Sequence, residues 1–427
     1  MSKLKSKKCY LILLCSVVYF ISYFSRKDFA VVMAGMISSG VVDKITCGTI
    51  ETALFITYGL GQLISGFLGD RLKPSYLIFF GLGTTALCNF LLPFMPNGYA
   101  MIPVWAVNGF AQAMLWPPIV RILSDNLDSE RFVRANFLVT SAAHFSTVIL
   151  YLYVPVCLLY FDWKTVFFSA TVLAVLAIVL FVVSLILILP KDAVKSPAPK
   201  TEKVLEKGAC ESYFSLLRRS GILYIFVCII MMGFLKDGIE SWFPTLYSEA
   251  FGRDASESIL LSVALPVFAI VAISATTALH KTRFFKNETL GAIIFFVTVM
   301  LLALPIVFLI TSGAIVSRVI CLVLTCTICA CMQGCNFLFI SCLPGHFSKY
   351  GKAATTSGIC NTFTYVGAAI CSYTMALISK IFNWRASIIS WVIVAGIGVL
   401  FALLALRSYT NFIKIKTDSG ETNENSN

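Results

Sequence analysis

Residues 10–37 read YLILLCSVVYFISYFSRKDFAVVMAGMI, an apolar run interrupted only at its centre by Arg26, Lys27 and Asp28. A helix rises about 1.5 Å per residue, so roughly 20 apolar residues cross the hydrocarbon layer of a bilayer. This run is long enough to cross. It follows MSKLKSKK, and that pairing of a basic start with an apolar stretch resembles a secretory signal. No small-x-small cleavage site follows, so the run is read as a retained first membrane helix. Working outward, similar stretches recur at 46–69, 75–95, 98–124, 134–158, 163–189, 220–250, 258–280, 288–311, 314–343, 353–379 and 385–406. Twelve spans are therefore expected. Their continuous apolar character excludes a membrane barrel, whose strands alternate in polarity. Composition agrees: 58% of the 427 residues are hydrophobic and 13% charged, against about 25% charged in soluble domains.

Thirty-three Lys and Arg against 21 Asp and Glu give a net charge of +12. Such a balance raises nucleic acid or a membrane surface as partner. With the N-terminus inside, 24 basic residues fall on the cytoplasmic side. Six fall outside: Lys44, Lys164, Arg253, Arg318, Lys380 and Arg385. The excess is thus a topology signal that places both termini in the cytoplasm of a cell (inner) membrane protein. Nucleic acid is excluded as a partner, because the basic residues border helices on one side of the bilayer.

Residues 190–219 form the one long polar stretch before the tail, a Pro-, Lys- and Glu-rich linker ending in a short interfacial helix. It divides the spans six and six. Asp162-Trp163-Lys164 and Asn383-Trp384-Arg385 open the last span of each half, and Asp70-Arg71-Leu72-Lys73 is matched by His280-Lys281-Thr282-Arg283. The expected architecture is an all-α membrane protein of two pseudo-symmetric six-helix bundles, a common transporter plan. Its parts are 1–189, the linker 190–219, a second bundle 220–407 and a disordered tail 408–427.

Ionisable groups inside a membrane are costly and usually face a cavity. They concentrate at Arg26-Lys27-Asp28 and at Lys236-Asp237 with Glu240. Arg26 and Lys236 stand 210 residues apart, on the first helix of each half. The bland reading of Arg26-Lys27-Asp28 is an outer loop, but that strands the apolar segment 29–42 between two loops. The bland reading of Lys236 is an ion pair with Glu240, one turn on. The functional reading is that the two cations hold an anion, the guanidinium as a fork and the ammonium as a point charge. Tyr19 and Tyr23 share the helix face of Arg26, as packing residues or as hydroxyl ligands. His144, the one histidine within a span, is either a buried neutral side chain or a phosphate ligand or proton carrier. Gln333 and Tyr365 are polar groups expected to face the interior, although helix–helix hydrogen bonding explains them equally. Fifteen cysteines lack paired zinc spacing, so no metal, cofactor or disulfide framework is expected. No phosphate-binding loop or hydrolase signature is present, which argues against an ATP-driven step or an enzyme.

Several segments carry a family resemblance. Gly66-Phe67-Leu68-Gly69-Asp70-Arg71-Leu72-Lys73-Pro74 resembles the loop signature of the major facilitator superfamily. YFSRKDFAVVM (23–33), GFAQAMLWPP (109–118), AAHF (142–145), DWKTVFF (162–168), LKDGIESWFPTLY (235–247) and GKAATTSGICNTFTYVGAA (351–369) resemble the organophosphate:phosphate antiporters. The resemblance implies that Arg26 and Lys236 are the substrate-phosphate cations. It also implies that His144, Tyr19, Tyr23 and Tyr365 line the cavity, and that Asp70 and Arg71 latch the cytoplasmic face. There are departures. Lys236 stands where Arg is common, Ser241 precedes Trp242 where an acid is usual, and His280 replaces the acid of the second loop signature. Glu240, one residue early, is a candidate substitute as partner for Lys27, although it would point in a different direction, and its role in gating or coupling stays open alongside Lys27 and Asp237.

The implied function is exchange of an organic phosphate for inorganic phosphate across a lipid bilayer by a monomeric carrier. Two alternatives stand beside it: a proton-coupled carrier of another organic anion, titrating at Glu240 or Asp237, and a transporter-like sensor of sugar phosphate.

Overall fold

The computed structural model describes residues 2–69, 72–187, 213–280, 282, 284–311, 314–350 and 352–424. All regular structure among these residues is helical. Asp70 and Arg71, and residues 190–212 of the linker, lie outside the described residues. The end of that linker is the short helix α8 (Tyr213–Arg219).

Ten helices among the described residues are long and apolar enough to cross a membrane. The remaining two expected spans are also helical. One is α2 (Lys44–Gly69). The other is not one helix but two, α4 (Gly98–Gln112) and α5 (Trp116–Asn126). The break has a simple cause. Pro117 and Pro118 lack amide hydrogens, and their rings clash with carbonyls one turn back.

Contacts gather the chain into two compact units. The first holds the described residues of Met1–Thr201, Gly238–Ile270 and Ala369–Trp384. In it, α1 (Ser2–Ser38) packs along α6 (Ser129–Tyr160) and α7 (Lys164–Leu187), while α2 packs along α4, and α3 (Pro74–Leu91) lies against α4 and α7. Onto these sit α10 (Ile239–Phe251) and α11 (Ala255–Leu261), against α1 and α6. This grouping differs from a division at the linker. Small residues permit it: a Cβ at Gly48 of α2 would lie 2.7 Å from the Ser372 carbonyl and from Ala376 of α15 (Ala353–Ile381). Thr52 donates to the Ala369 carbonyl nearby, at 3.1 Å. At the start of α2, Asp43 accepts from the Ile45 amide (3.0 Å), the Thr46 amide (3.3 Å) and the Thr46 hydroxyl, capping the helix. Lys44 pairs with Glu249, which also accepts from the Trp384 indole at 2.9 Å.

The second unit holds the described residues of Glu202–Asp237, Val271–Ala368 and Arg385–Asn427. α9 (Ile222–Gly233) meets α15 at close range, because Gly233 and Gly367 have no side chains. A Cβ on either would stand 1.9 Å from a backbone carbonyl, of Thr364 or Ile230. A π turn, Phe234–Gly238, follows α9. A second, Phe337–Cys342, follows α14 (Ile315–Asn336). Glu288, fully buried at the start of α13 (Glu288–Leu309), gathers three partners. His346 Nε2 lies at 2.9 Å, the Tyr409 hydroxyl donates at 3.1 Å, and His280 Nε2 lies at 3.8 Å.

The expected disordered tail 408–427 is corrected. α16 runs from Trp384 through Glu424. The reason lies in two residues that the polarity of the tail masked. Tyr409 is buried against Glu288, and Phe412 packs on Phe347 (5.3 Å) and Tyr350 (6.1 Å).

Candidate functional site

In the first unit the site is built around one turn of α1, Ser25–Asp28. Two asparagines anchor that turn. Asn89 of α3 and Asn108 of α4 both donate to the Ser25 carbonyl, at 3.1 and 3.3 Å. One turn earlier, Ser22 donates to Gln112 (2.6 Å), whose amide donates to Thr85 (3.2 Å). These bonds are buried, and buried polar networks that are satisfied hold one arrangement.

Arg26 is buried within this frame. Its guanidinium lies over the ring of Tyr23 at 4.2 Å and the ring of Tyr58, from α2, at 4.7 Å. Stacking on aromatic faces orients the guanidinium plane and stabilises the cation by about 0.5–2 kcal/mol per ring in partly desolvated sites. Tyr19 sits one turn before Tyr23, edge-on to it (5.0 Å) and against Trp116 (4.7 Å), within the apolar core of this unit. His144 is half-buried on α6, next to the core residue Ala143.

Lys27, the next residue on α1, forms an ion pair with Glu240 of α10 at 3.2 Å. Glu240 is thus the substitute partner of Lys27, despite the different direction expected from its position one residue early. The π turn at Phe234–Gly238 lies just before Glu240. An α-helix turns about 100° per residue, and a π turn shifts that phase by about one residue, so Glu240 does not take the face an unbroken helix would give it. The partner that the bland reading gave Lys236 is corrected: it is not Glu240 but the adjacent Asp237.

In the second unit, Lys236 contacts both oxygens of Asp237, each at 2.8 Å. Gln333 and Tyr365 are half-buried on α14 and α15. Tyr365 follows Thr364, where α9 makes its close approach. Among the described residues no group of three or more His, Cys, Asp or Glu is arranged to hold a metal. No disulfide occurs among them.

Four contributors escaped the sequence reading: Tyr58, Glu51, Asn89 and Asn108. Glu51 carried a usable signal, being a lone acid in an apolar span, like Asp28. It is 2% exposed, and Asp28 is fully buried. Tyr58 and the asparagines carried no such mark, because their value comes from which helix faces α1.

A chain of this kind, with membrane helices throughout and its buried ionisable groups turned inward, has the build of a multi-pass membrane carrier. It belongs to the Major Facilitator Superfamily, whose family model matches residues 15–355. Over 401 residues it is 24% identical to the glycerol-3-phosphate transporter of Bacillus subtilis, covering 90% of this chain and 88% of that one. It is likewise 24% identical over 400 residues to the membrane sensor protein UhpC of Salmonella typhimurium, covering 90% and 88%. A shorter match, 34% over 106 residues, joins it to a probable hexose phosphate transport protein of Chlamydia muridarum, covering 25% of this chain and 23% of that one. In structure it is similar to the nucleoside transporter NupG, with TM-score 0.69 and 14% identity, covering 93% of this chain and 99% of that one. The resemblance to the organophosphate:phosphate antiporters agrees with these relatives, and the family is one of transporters, not enzymes.

Proposed function

We propose that this protein exchanges an organic phosphate, a sugar phosphate or glycerol phosphate, for inorganic phosphate by alternating access. The observation that supports this most is Arg26, a buried guanidinium oriented by two tyrosine rings. A planar fork of donors held in a partly dry site matches phosphate oxygens well. Arg26 and Lys236 serve as the phosphate cations, one from each half of the sequence. Tyr19, Tyr23, His144, Gln333 and Tyr365 line the substrate path. Lys27–Glu240 and Asp237 serve coupling, and Asp70 and Arg71 latch the cytoplasmic face. The relatives named for glycerol 3-phosphate and hexose phosphate support the substrate class.

The protein works as a monomer in the cell (inner) membrane with both termini cytoplasmic, as the Lys and Arg distribution indicates. The test is exchange of labelled phosphate in proteoliposomes. Exchange is expected for the wild type and lost in Arg26→Ala; full activity in that variant refutes the role of Arg26. The relatives named as sensors favour a second reading, in which phosphate esters bind without flux. Binding in detergent with no exchange in vesicles would select it.

A further inference from the structure

We propose that Asp28 and Glu51, buried on α1 and α2 of the first unit, together bind one proton that is loaded with the anionic substrate. The inference rests on reading Arg26 as the anion site.

Five ionisable groups share this neighbourhood. Arg26, Lys27 and Asp28 come from α1, Glu51 from α2 and Glu240 from α10. Lys27 pairs with Glu240 at 3.2 Å. Glu51 lies within range of the charges of Lys27 and Arg26, and Asp28 within range of Glu51. Fully ionised, the set holds two positive and three negative charges. An anion entering beside Arg26 adds to that excess, and a proton taken up with it offsets the cost of burying uncompensated negative charge.

The carboxylate oxygens show where that proton belongs. Asp28 Oδ1 accepts from the Phe29 amide at 2.8 Å. Asp28 Oδ2 and Glu51 Oε1 are buried with no hydrogen-bond partner among the described residues. The Trp105 indole of α4, fully buried and 5.5 Å from the Phe29 ring, turns its N–H toward Glu51, which leaves Asp28 Oδ2 as the neighbouring open acceptor. Cys47, one turn before Glu51, completes the surroundings. Two acceptor groups next to an N–H donor do not make a metal cage, which requires several oxygen or nitrogen ligands. They suit a proton. It comes from solvent, forms an O–H bond to a carboxylate oxygen, and leaves to solvent when substrate is released. No electrons change hands.

Coupling follows from charge. An anion entering beside Arg26 adds negative charge near the pair and so favours protonation. By linkage, the proton favours the anion equally.

The test uses the full chain in detergent and inorganic phosphate as ligand. Titration calorimetry in buffers of different ionisation enthalpy counts protons taken up per phosphate bound. Wild type is expected to take up about one more proton than Asp28→Asn/Glu51→Gln, and Asp43→Asn, at the head of α2 and outside the buried set, is expected to keep that extra proton. In wild type alone, infrared difference spectra on phosphate binding should show a protonated-carboxyl band that shifts with ¹³C labelling of Asp and Glu. Equal proton counts in wild type and the double variant overturn the proposal, as does absence of that band if the variant does not fold. Loss of the extra proton in Asp43→Asn as well assigns it elsewhere and also overturns it. Failure of wild type to bind phosphate overturns the reading of Arg26 as well, so the two failures are told apart.

Discussion

The Lys27–Glu240 pair makes the sharpest quantitative claim. At 3.2 Å, with Lys27 and Glu240 side chains 10% and 22% exposed, an effective dielectric near 20 gives a gross attraction of about 5 kcal/mol. Desolvation of both groups cancels much of this, so the pair adds little net stability. Removing one partner is a different matter, because it strands the other charge, at about 3–5 kcal/mol for a fully buried pair. Partial exposure of Glu240 places the expected loss near the lower end, about 3 kcal/mol for Lys27→Ala or Glu240→Ala. The double variant removes both charges and is expected to be no less stable than the weaker single. The coupling energy should then be about 3 kcal/mol or more. Unfolding in mixed micelles, followed by tryptophan fluorescence for the four proteins of the cycle, measures it. Losses that simply add, within about 0.5 kcal/mol, refute the pairing.

Other expectations are simpler. Gly233→Ala or Gly367→Ala forces α9 and α15 apart and should cost about 1–3 kcal/mol or more, read as a lower melting temperature; Gly83→Ala, where nothing lies within 4 Å, is the control and should be near neutral. Tyr58→Leu removes one ring beneath Arg26 and should weaken phosphate binding by about 1 kcal/mol, roughly fivefold, while Tyr58→Phe keeps most of it; unchanged binding in Tyr58→Leu would separate Tyr58 from the site. At the head of α2, burial pushes the Asp43 carboxyl up, but its hydrogen bonds from Thr46 and Ile45 and the charge of Lys380 outweigh this and hold it below its ordinary value. Its contribution is therefore complete above the unfolded carboxylate value of about 4 and is lost as pH falls through the lower folded one. Melting temperature against pH should fall more steeply in wild type than in Asp43→Asn, and parallel curves would remove Asp43 from the acid response.

Apolar run length made the membrane helices legible, and charges inside those runs made Arg26, Lys27, Lys236 and Glu240 legible. Both signals are local. What was missed depends on neighbours. The π turn at Phe234–Gly238 leaves no mark in composition, yet it changes the phase of the helix just before Glu240. Tyr58 reads as one more aromatic residue in an apolar span until α2 is seen beside α1. The split of α4 from α5 was written in Pro117-Pro118, but the apolar run on both sides concealed it. The tail read as polar because Tyr409 and Phe412 are outnumbered there, although two buried rings are enough to continue a helix.

The Glu288 node makes the second unit act as a truss at one end. A single carboxylate fastens the start of α13, the segment carrying His346 and the last stretch of α16. Drawing any of these apart strands a buried charge-assisted hydrogen bond, at about 1–3 kcal/mol each. Bending in this unit is then concentrated away from the truss, where the helices already depart from α geometry: at Phe234–Gly238, beside Lys236, and at Phe337–Cys342, just beyond Gln333.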